Sequence, residues 1–257
     1  MPAITNHGTT GPGATPGAPL FEARDIVAGY GDGRVLHGAT LRVGEGETVA
    51  LLGRNGSGRS TLLKTIMRLI AGTGSITMDG LALARAKPHE VARAGIGYVP
   101  ENRAIFPDLT VRENLAVGLP QRNRTPRPGT GGPRWTEQEF FELFPNLQRR
   151  ANVAGGVLSG GEQQMLTICR ALMGEPRLLL IDEPTEGLSL AMIEQVAALI
   201  REAARRGVAI LLVEQKLTIA LDLCQRVNVM GHGQIVFDGS VSAFRSDPAI
   251  RNEWLEV

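Results

Sequence analysis

An α/β fold on a mostly parallel sheet is the class the sequence predicts, and three observations carry it. In the second half of the chain, short apolar runs alternate with longer runs that carry an apolar stripe, the pattern of strands and covering helices. Upstream, the apolar run at 49–52 passes through the glycine-rich string GRNGSGRST into a helix-like stretch, the strand–loop–helix order of a phosphate loop. Further on, LLLI at 178–181 is apolar throughout and ends in Asp182 and Glu183. A strand covered on both faces reads this way, and α/β sheets place their ligands at such C-terminal strand ends.

Residues 1–19 are rich in Gly, Pro and Thr with almost no large apolar side chain, so they predict a disordered leader. Residues 20–24, 39–43 and 47–52 predict strands joined by glycine-rich turns. A helix is expected over 60–70, with Leu62, Leu63, Ile66, Leu69 and Ile70 as its apolar stripe. Residues 75–78 and 97–99 predict short strands. Helices over 111–117 and 137–144 flank the string PQRNRTPRPGTGGP at 120–133, which predicts an exposed loop. Then come a helix at 160–173, a strand at 178–181, a helix at 190–205 and a continuous apolar strand at 208–213. The stretch between Gly74 and Leu158 breaks the alternation and is expected to be mainly helical. The final residues, 248–257, fit either a docking helix or a packed terminus, and no internal repeat is present.

Bulk properties narrow the function classes. The chain of 257 residues is long enough for one large or two modest domains. Its net charge of +1 implies neither a nucleic-acid partner nor an anionic membrane surface. No apolar run approaches the roughly 20 residues that span a bilayer, and the N-terminus lacks a secretory pattern. Cys169 and Cys224 have no metal-ligand spacing and are expected to be buried and reduced. Lys64, Lys87 and Lys216 are the only lysines among 27 basic residues, a strong bias to arginine.

The candidate phosphate loop is Gly53, Arg54, Asn55, Gly56, Ser57, Gly58, Arg59, Ser60 and Thr61. Its glycines let backbone amides turn toward phosphates, and the following helix start adds partial positive charge. Ser60 is placed to put its hydroxyl on Mg²⁺. Arg59 stands where the pattern has lysine. A planar guanidinium is bulkier and less adaptable than an ammonium, so two readings stand: Arg59 grips the β and γ phosphates, or the site binds ATP and hydrolyses it poorly. Asp182 is expected to hold Mg²⁺ and Glu183 to polarise the attacking water. A second set of phosphate donors stands far away in Ser159, Gly160, Gly161 and Glu162, a capped helix start. The two sets can meet only if ATP is sandwiched between two such proteins, which points to an ATP-driven dimerisation motor.

With these three elements in order, the chain resembles the ATP-binding-cassette ATPases from about Leu20 to its end. The resemblance implies a mostly parallel core sheet, an antiparallel β-subdomain, and a helical subdomain at approximately 102–175 inserted in a cassette spanning 20–257. It implies that Tyr30 stacks on adenine, that the Ser159 element contacts ATP held by the opposing cassette, and that 186–188 touches that cassette. Glu101 stands where most cassettes have a glutamine that reaches Mg²⁺, and Gln215 where most have a switch histidine. Glu101 keeps a metal-binding oxygen and Gln215 a hydrogen-bonding amide. The strings GIGYVPENRAIFPDLTVRENL, LSGGEQQML, DEPTEGL and ILLVEQ are similar to one branch, the shorter ATPase subunits of importers for branched-chain amino acids and related solutes, including urea. In that branch both departures are familiar; Arg59 is not explained by it. The resemblance further implies integral-membrane permease subunits docked through 102–115, a second homologous ATP-binding subunit or a second copy, an extracytoplasmic solute-binding protein acting indirectly, and a peripheral place on the cytoplasmic face of the inner membrane. Three rivals keep the fold: a non-hydrolysing ATP switch, a cassette in DNA repair or translation, and an export ATPase.

Overall fold

Among the described residues, ten strands form two sheets, one of which delivers the glycine-rich loop. The computed structural model describes residues 18–120 and 135–255. All but the first residue of the expected loop at 120–133, and nearly all of the leader, therefore lie outside the described residues.

An antiparallel sheet of order β2-β1-β4-β5 is formed by β1 (Phe21–Tyr30), β2 (Gly33–Val43), β4 (Gly72–Met78) and β5 (Leu81–Ala82). The six-stranded sheet has order β10-β9-β3-β8-β7-β6, from β3 (Thr48–Leu52), β6 (Ile96–Val99), β7 (Leu178–Asp182), β8 (Ala209–Val213), β9 (Arg226–Gly231) and β10 (Gln234–Ser240). Its neighbours are parallel from β9 to β6, and only β10 runs antiparallel. The core strands are buried on both faces, and alternation sorts their side chains. Ala50, Leu52, Leu179, Ile181, Ile210 and Leu212 pack toward α6 (Gly160–Met173) and α7 (Leu190–Arg205). Val49, Leu51, Leu178, Leu180, Leu211 and Val213 pack toward α1 (Arg59–Ile66) and the antiparallel sheet.

The remaining helices are α2 (Pro88–Arg93), α3 (Val111–Val117), α4 (Glu137–Leu143), α5 (Pro145–Arg149), α8 (Leu217–Leu223), α9 (Val241–Ser246) and α10 (Pro248–Trp254). Helices α3 and α6 each begin with a capping box, Thr110 with Glu113 and Ser159 with Glu162. This is why their starts are readable from sequence. Cys169 and Cys224 are free and buried, and burial pushes the Cys224 thiol up to about 12.

Several expected boundaries are corrected. The first helix ends at Ile66 rather than 70, because Arg68 takes a left-handed backbone with φ 58° and leaves Leu69 55% exposed. Helix α4 stops before Phe144, which precedes Pro145 and is kept out of the helical region by it. Strand β1 runs six residues further than expected, to Tyr30. Register shifts at Ala23/Ile26 and Ile26/Val27 absorb the charged Arg24-Asp25 pair that breaks its alternation. The sequence predicts no strand or helix between Val213 and Pro248, where the structure has α8, β9, β10 and α9; β9 pairs with β3 beside the loop.

Candidate functional site

The cleft forms where the C-terminal ends of β3, β7 and β8 open under the start of α1. Strand β3 delivers Leu52 to the loop, and Gly58 caps α1 with φ 109°. A Cβ there would also lie 2.9 Å from Leu36 Cδ2, but it is the left-handed backbone that requires glycine at this turn. The cleft measures about 430 Å³ and is lined by Asn55, Gly56, Gly58, Arg59, Ser60 and Thr61 of the loop. Glu101, Glu183, Glu186, Gln215 and Val35 complete it.

The carboxylates are held by sharp geometry. Glu183 leaves β7 with φ 47°, a left-handed conformation that costs a non-glycine residue about 1–3 kcal/mol. Its N–H donates to the Val213 carbonyl at 2.9 Å, which fixes the turn to the end of β8. Both side-chain oxygens are occupied: Arg59 Nη2 donates to Oε1 at 2.9 Å and Gln215 Nε2 to Oε2 at 2.5 Å. The Arg59 and Glu183 side chains are only 5% and 8% exposed. Arg59 also donates to Asn55 Oδ1 at 3.2 Å and to the Glu214 carbonyl at 3.4 Å. Burial raises the Glu183 carboxyl above its ordinary value, against the opposing pull of Arg59.

Asp182 is built differently. Ser60 Oγ donates to its Oδ1 at 3.0 Å, while Oδ2 is buried without a hydrogen-bond partner. Burial raises its pKa above the ordinary value. The Tyr98 hydroxyl is also buried without a partner, and burial and the charge of Asp182 push it upward. A buried carboxylate oxygen left unmatched beside a serine hydroxyl is the oxygen donor set that a hard divalent cation takes. Ser60 and Asp182 thus fit Mg²⁺. Glu101 can bring an oxygen close to those of Glu183 and Glu186, within 4.8 Å of one another.

Gln215 is placed by Glu214, whose buried carboxylate accepts from Thr185 Oγ1 at 2.8 Å and from the backbone N–H groups of Gln215 and Lys216 at 2.9 and 3.0 Å. Glu214 is not singled out by the sequence, and Glu186 is expected there only as part of the 186–188 loop that touches the opposing cassette. Glu186 stands three positions after Glu183, the only hint that its carboxylate reaches the cleft.

Other expected residues lie apart. Tyr30 ends β1 at a hairpin, 53% exposed and outside the cleft lining. Arg54 and Ser57 line a second cavity of about 200 Å³ with His232, Glu253 and Trp254. Ser159, Gly160, Gly161 and Glu162 do not line the cleft. Ser159 N and Oγ both donate to Glu162 Oε2, at 2.9 and 2.8 Å, so the helix start is closed by its own residues and faces outward. The Arg103 guanidinium rests on Gly160, and the Arg103 carbonyl accepts from Thr167 Oγ1 at 2.5 Å, tying the segment after Glu101 to α6.

Residues 36–186, which run from β2 through both acids, match the family model described as ABC transporter. The chain belongs to the ABC transporter ATPases. These are ATPases coupled to transport. A similar curated relative is the high-affinity branched-chain amino acid transport ATP-binding protein BraG of Pseudomonas aeruginosa, 40% identical over 88% of this chain and 95% of that protein. The lipopolysaccharide export system ATP-binding protein LptB of Haemophilus influenzae is 30% identical over 92% and 97%. Among solved structures, a dimeric ATP-binding cassette in a post-hydrolysis state, bound to ADP and Pi, is 25% identical with a TM-score of 0.74, covering 86% of this chain and 99% of that one. ABC cassettes bind nucleotide, dimerise and work with membrane permeases. Among the described residues, no helix is long and apolar enough to cross a membrane.

Proposed function

We propose that this ABC ATPase binds and hydrolyses ATP to power uptake of branched-chain amino acids or a related small solute. Similarity to BraG supports the solute class, and LptB shows that relatives of comparable length serve export. The observation that carries the hydrolytic reading is Glu183: a carboxylate aimed into the cleft by a left-handed turn, beside a phosphate loop.

ATP lies along Gly53–Thr61 with its γ-phosphate toward Arg59 and Gln215 and its adenine on Tyr30. Loop amides and the start of α1 stabilise charge that develops on the transferred group. Ser60 and Asp182, with Glu101 nearby, would hold Mg²⁺, which when bound neutralises charge on the β and γ oxygens. Glu183 accepts the proton of the attacking water. Ser159 and the Gly160 and Gly161 amides, with Glu162 fixing the turn, serve the ATP of a second cassette, either a homologous subunit or a second copy. Closure of the pair moves docked permease subunits at the cytoplasmic face of the inner membrane, where this chain is peripheral. An extracytoplasmic binding protein selects the solute, and no nucleic acid takes part. The cassette spans 20–257, with a helical subdomain over approximately 102–175.

The Arg59–Glu183 ion pair favours one further reading, a non-hydrolysing ATP switch. Turnover separates the two. Glu183→Gln is expected to lower Mg²⁺-dependent ATPase activity about 10²–10⁴-fold, the usual contribution of a general base, while ATP binding persists. A native chain that binds ATP without turnover, alone and with its partner subunits, would decide for the switch.

A further inference from the structure

We propose that Arg59 makes this site select a nucleoside triphosphate over a diphosphate, by exchanging Glu183 for the γ-phosphate. The proposal rests on the reading of Glu183 as the base and of Arg59 as a γ-phosphate ligand.

Without nucleotide, the base is capped on both oxygens, by Arg59 Nη2 at 2.9 Å and by Gln215 Nε2 at 2.5 Å. These two hydrogen bonds stabilise the charged carboxylate and so oppose the rise in proton affinity that burial gives it. The two capping groups are the same two that the γ-phosphate needs. Nη2 has only two hydrogens, and both are committed, one to Glu183 and one to Asn55 Oδ1 at 3.2 Å. A phosphate oxygen arriving there must displace one acceptor. Losing Glu183 exchanges one anion for another, so Arg59 never becomes an uncompensated buried cation.

Arginine matters to this exchange. Its fork holds the phosphate loop through Asn55, the β7 end through Glu183 and the segment before Gln215 through the Glu214 carbonyl. A lysine ammonium is a compact point charge without this fixed fork and grips such separated acceptors less firmly. ADP has no γ-phosphate and leaves the cap in place. ATP removes it and, in the same movement, frees Glu183 to act. A ligand shifts an equilibrium only through differential affinity, and here the difference between the two nucleotides falls on one guanidinium.

The test is a double-mutant cycle read by binding of fluorescent ATP and ADP analogues, with the chain dilute enough to stay single. Glu183→Gln is expected to tighten ATP binding about tenfold, within the ordinary range of coupling between sites, and to leave ADP binding unchanged. In an Arg59→Met background that gain should vanish, because no shared cation remains to be freed. Arg59→Lys should keep only a part of it, about threefold, and serves if Arg59→Met does not fold. An equal gain in every background would show simple repulsion between Glu183 and the γ-phosphate and overturn the exchange; so would an equal gain for ADP. Retained turnover in Glu183→Gln would instead remove the base assignment, while the binding cycle would still report whether Arg59 is shared.

Discussion

The cleft at the phosphate loop and the helix start at Ser159 are both suited to phosphate, yet they are built in opposite ways. The cleft gathers residues far apart in sequence, and its groups answer one another: Arg59 and Gln215 meet Glu183, and Ser60 meets Asp182. The Ser159 element is local. Its capping box closes within four residues: the Ser159 N–H and hydroxyl both donate to the Glu162 carboxylate of the same turn, and Ser159 itself is exposed. In the first half-site Glu183 is capped by groups far away in sequence while Asp182 Oδ2 is left without a partner; the second is closed by its own cap. This asymmetry suits the proposed motor that closes on ATP, in which the resting chain neither hydrolyses nor associates until nucleotide bridges the halves.

The comparison can be broken at either side. The largest effect is expected at the outward half: Ser159→Glu sets a carboxylate against the partner's γ-phosphate. Like charges at an interface cost several kcal/mol, so ATP-driven association should fall at least about 10²-fold. ATP binding by the single chain should not change. Loss of both together, read by titration and sedimentation, would mean that Ser159 serves its own cleft.

A smaller effect is expected behind the loop. The Trp254 ring packs against Gly231, where a Cβ would come within 2.2 Å of it, and lies in a T-shaped contact with His232, centroids 5.6 Å apart. The next residue, Gly233, donates its N–H to the Ser57 carbonyl at 3.1 Å, which ties this turn to the phosphate loop. Trp254→Ala should therefore weaken ATP binding by up to roughly tenfold through misplacement of the loop, with Trp254→Phe restoring part of it. Unchanged affinity in Trp254→Ala would show that α10 supports the fold and not the loop.

The smallest effect concerns stability. Asp182 has a buried oxygen without a partner, and its raised pKa means that the folded chain holds that proton more tightly than the unfolded one. Its contribution is fully present below the unfolded value and is lost as pH rises through the folded value. Asp182→Asn should accordingly stabilise the nucleotide-free chain by about 1 kcal/mol at neutral pH, while removing Mg²⁺-dependent turnover. A urea titration showing no gain at neutral pH, or a gain that grows on acidification, would contradict this.

The difference between the half-sites also explains what the sequence could show. Ser159 and Glu162 form their cap across three positions, so α6 was legible at both ends. The loop and the RLLLIDEP strand were legible because each is a contiguous motif with a mechanical reason for every residue. The Arg59–Glu183 contact spans 124 positions and depends on the left-handed turn at Glu183, which no local pattern announces. Strand β9 escaped because Asn228 and the charged Arg226 interrupt its apolar run; Asn228 is nonetheless fully buried, and Arg226 is paired with Glu47 at 2.7 Å. The first helix was read too long because Leu69 and Ile70 continue its stripe, whereas the backbone has already turned at Arg68.

The most direct test of the sandwich reading is the mass of the Glu183→Gln chain in solution, measured by light scattering with Mg²⁺–ATP and again with ADP. A dimer in ATP and a single chain in ADP is the predicted result, with Ser159→Glu abolishing the dimer. An ATP-saturated chain that stays single, both alone and with its permease and partner ATPase subunits, would contradict the claim that the two half-sites meet across one nucleotide.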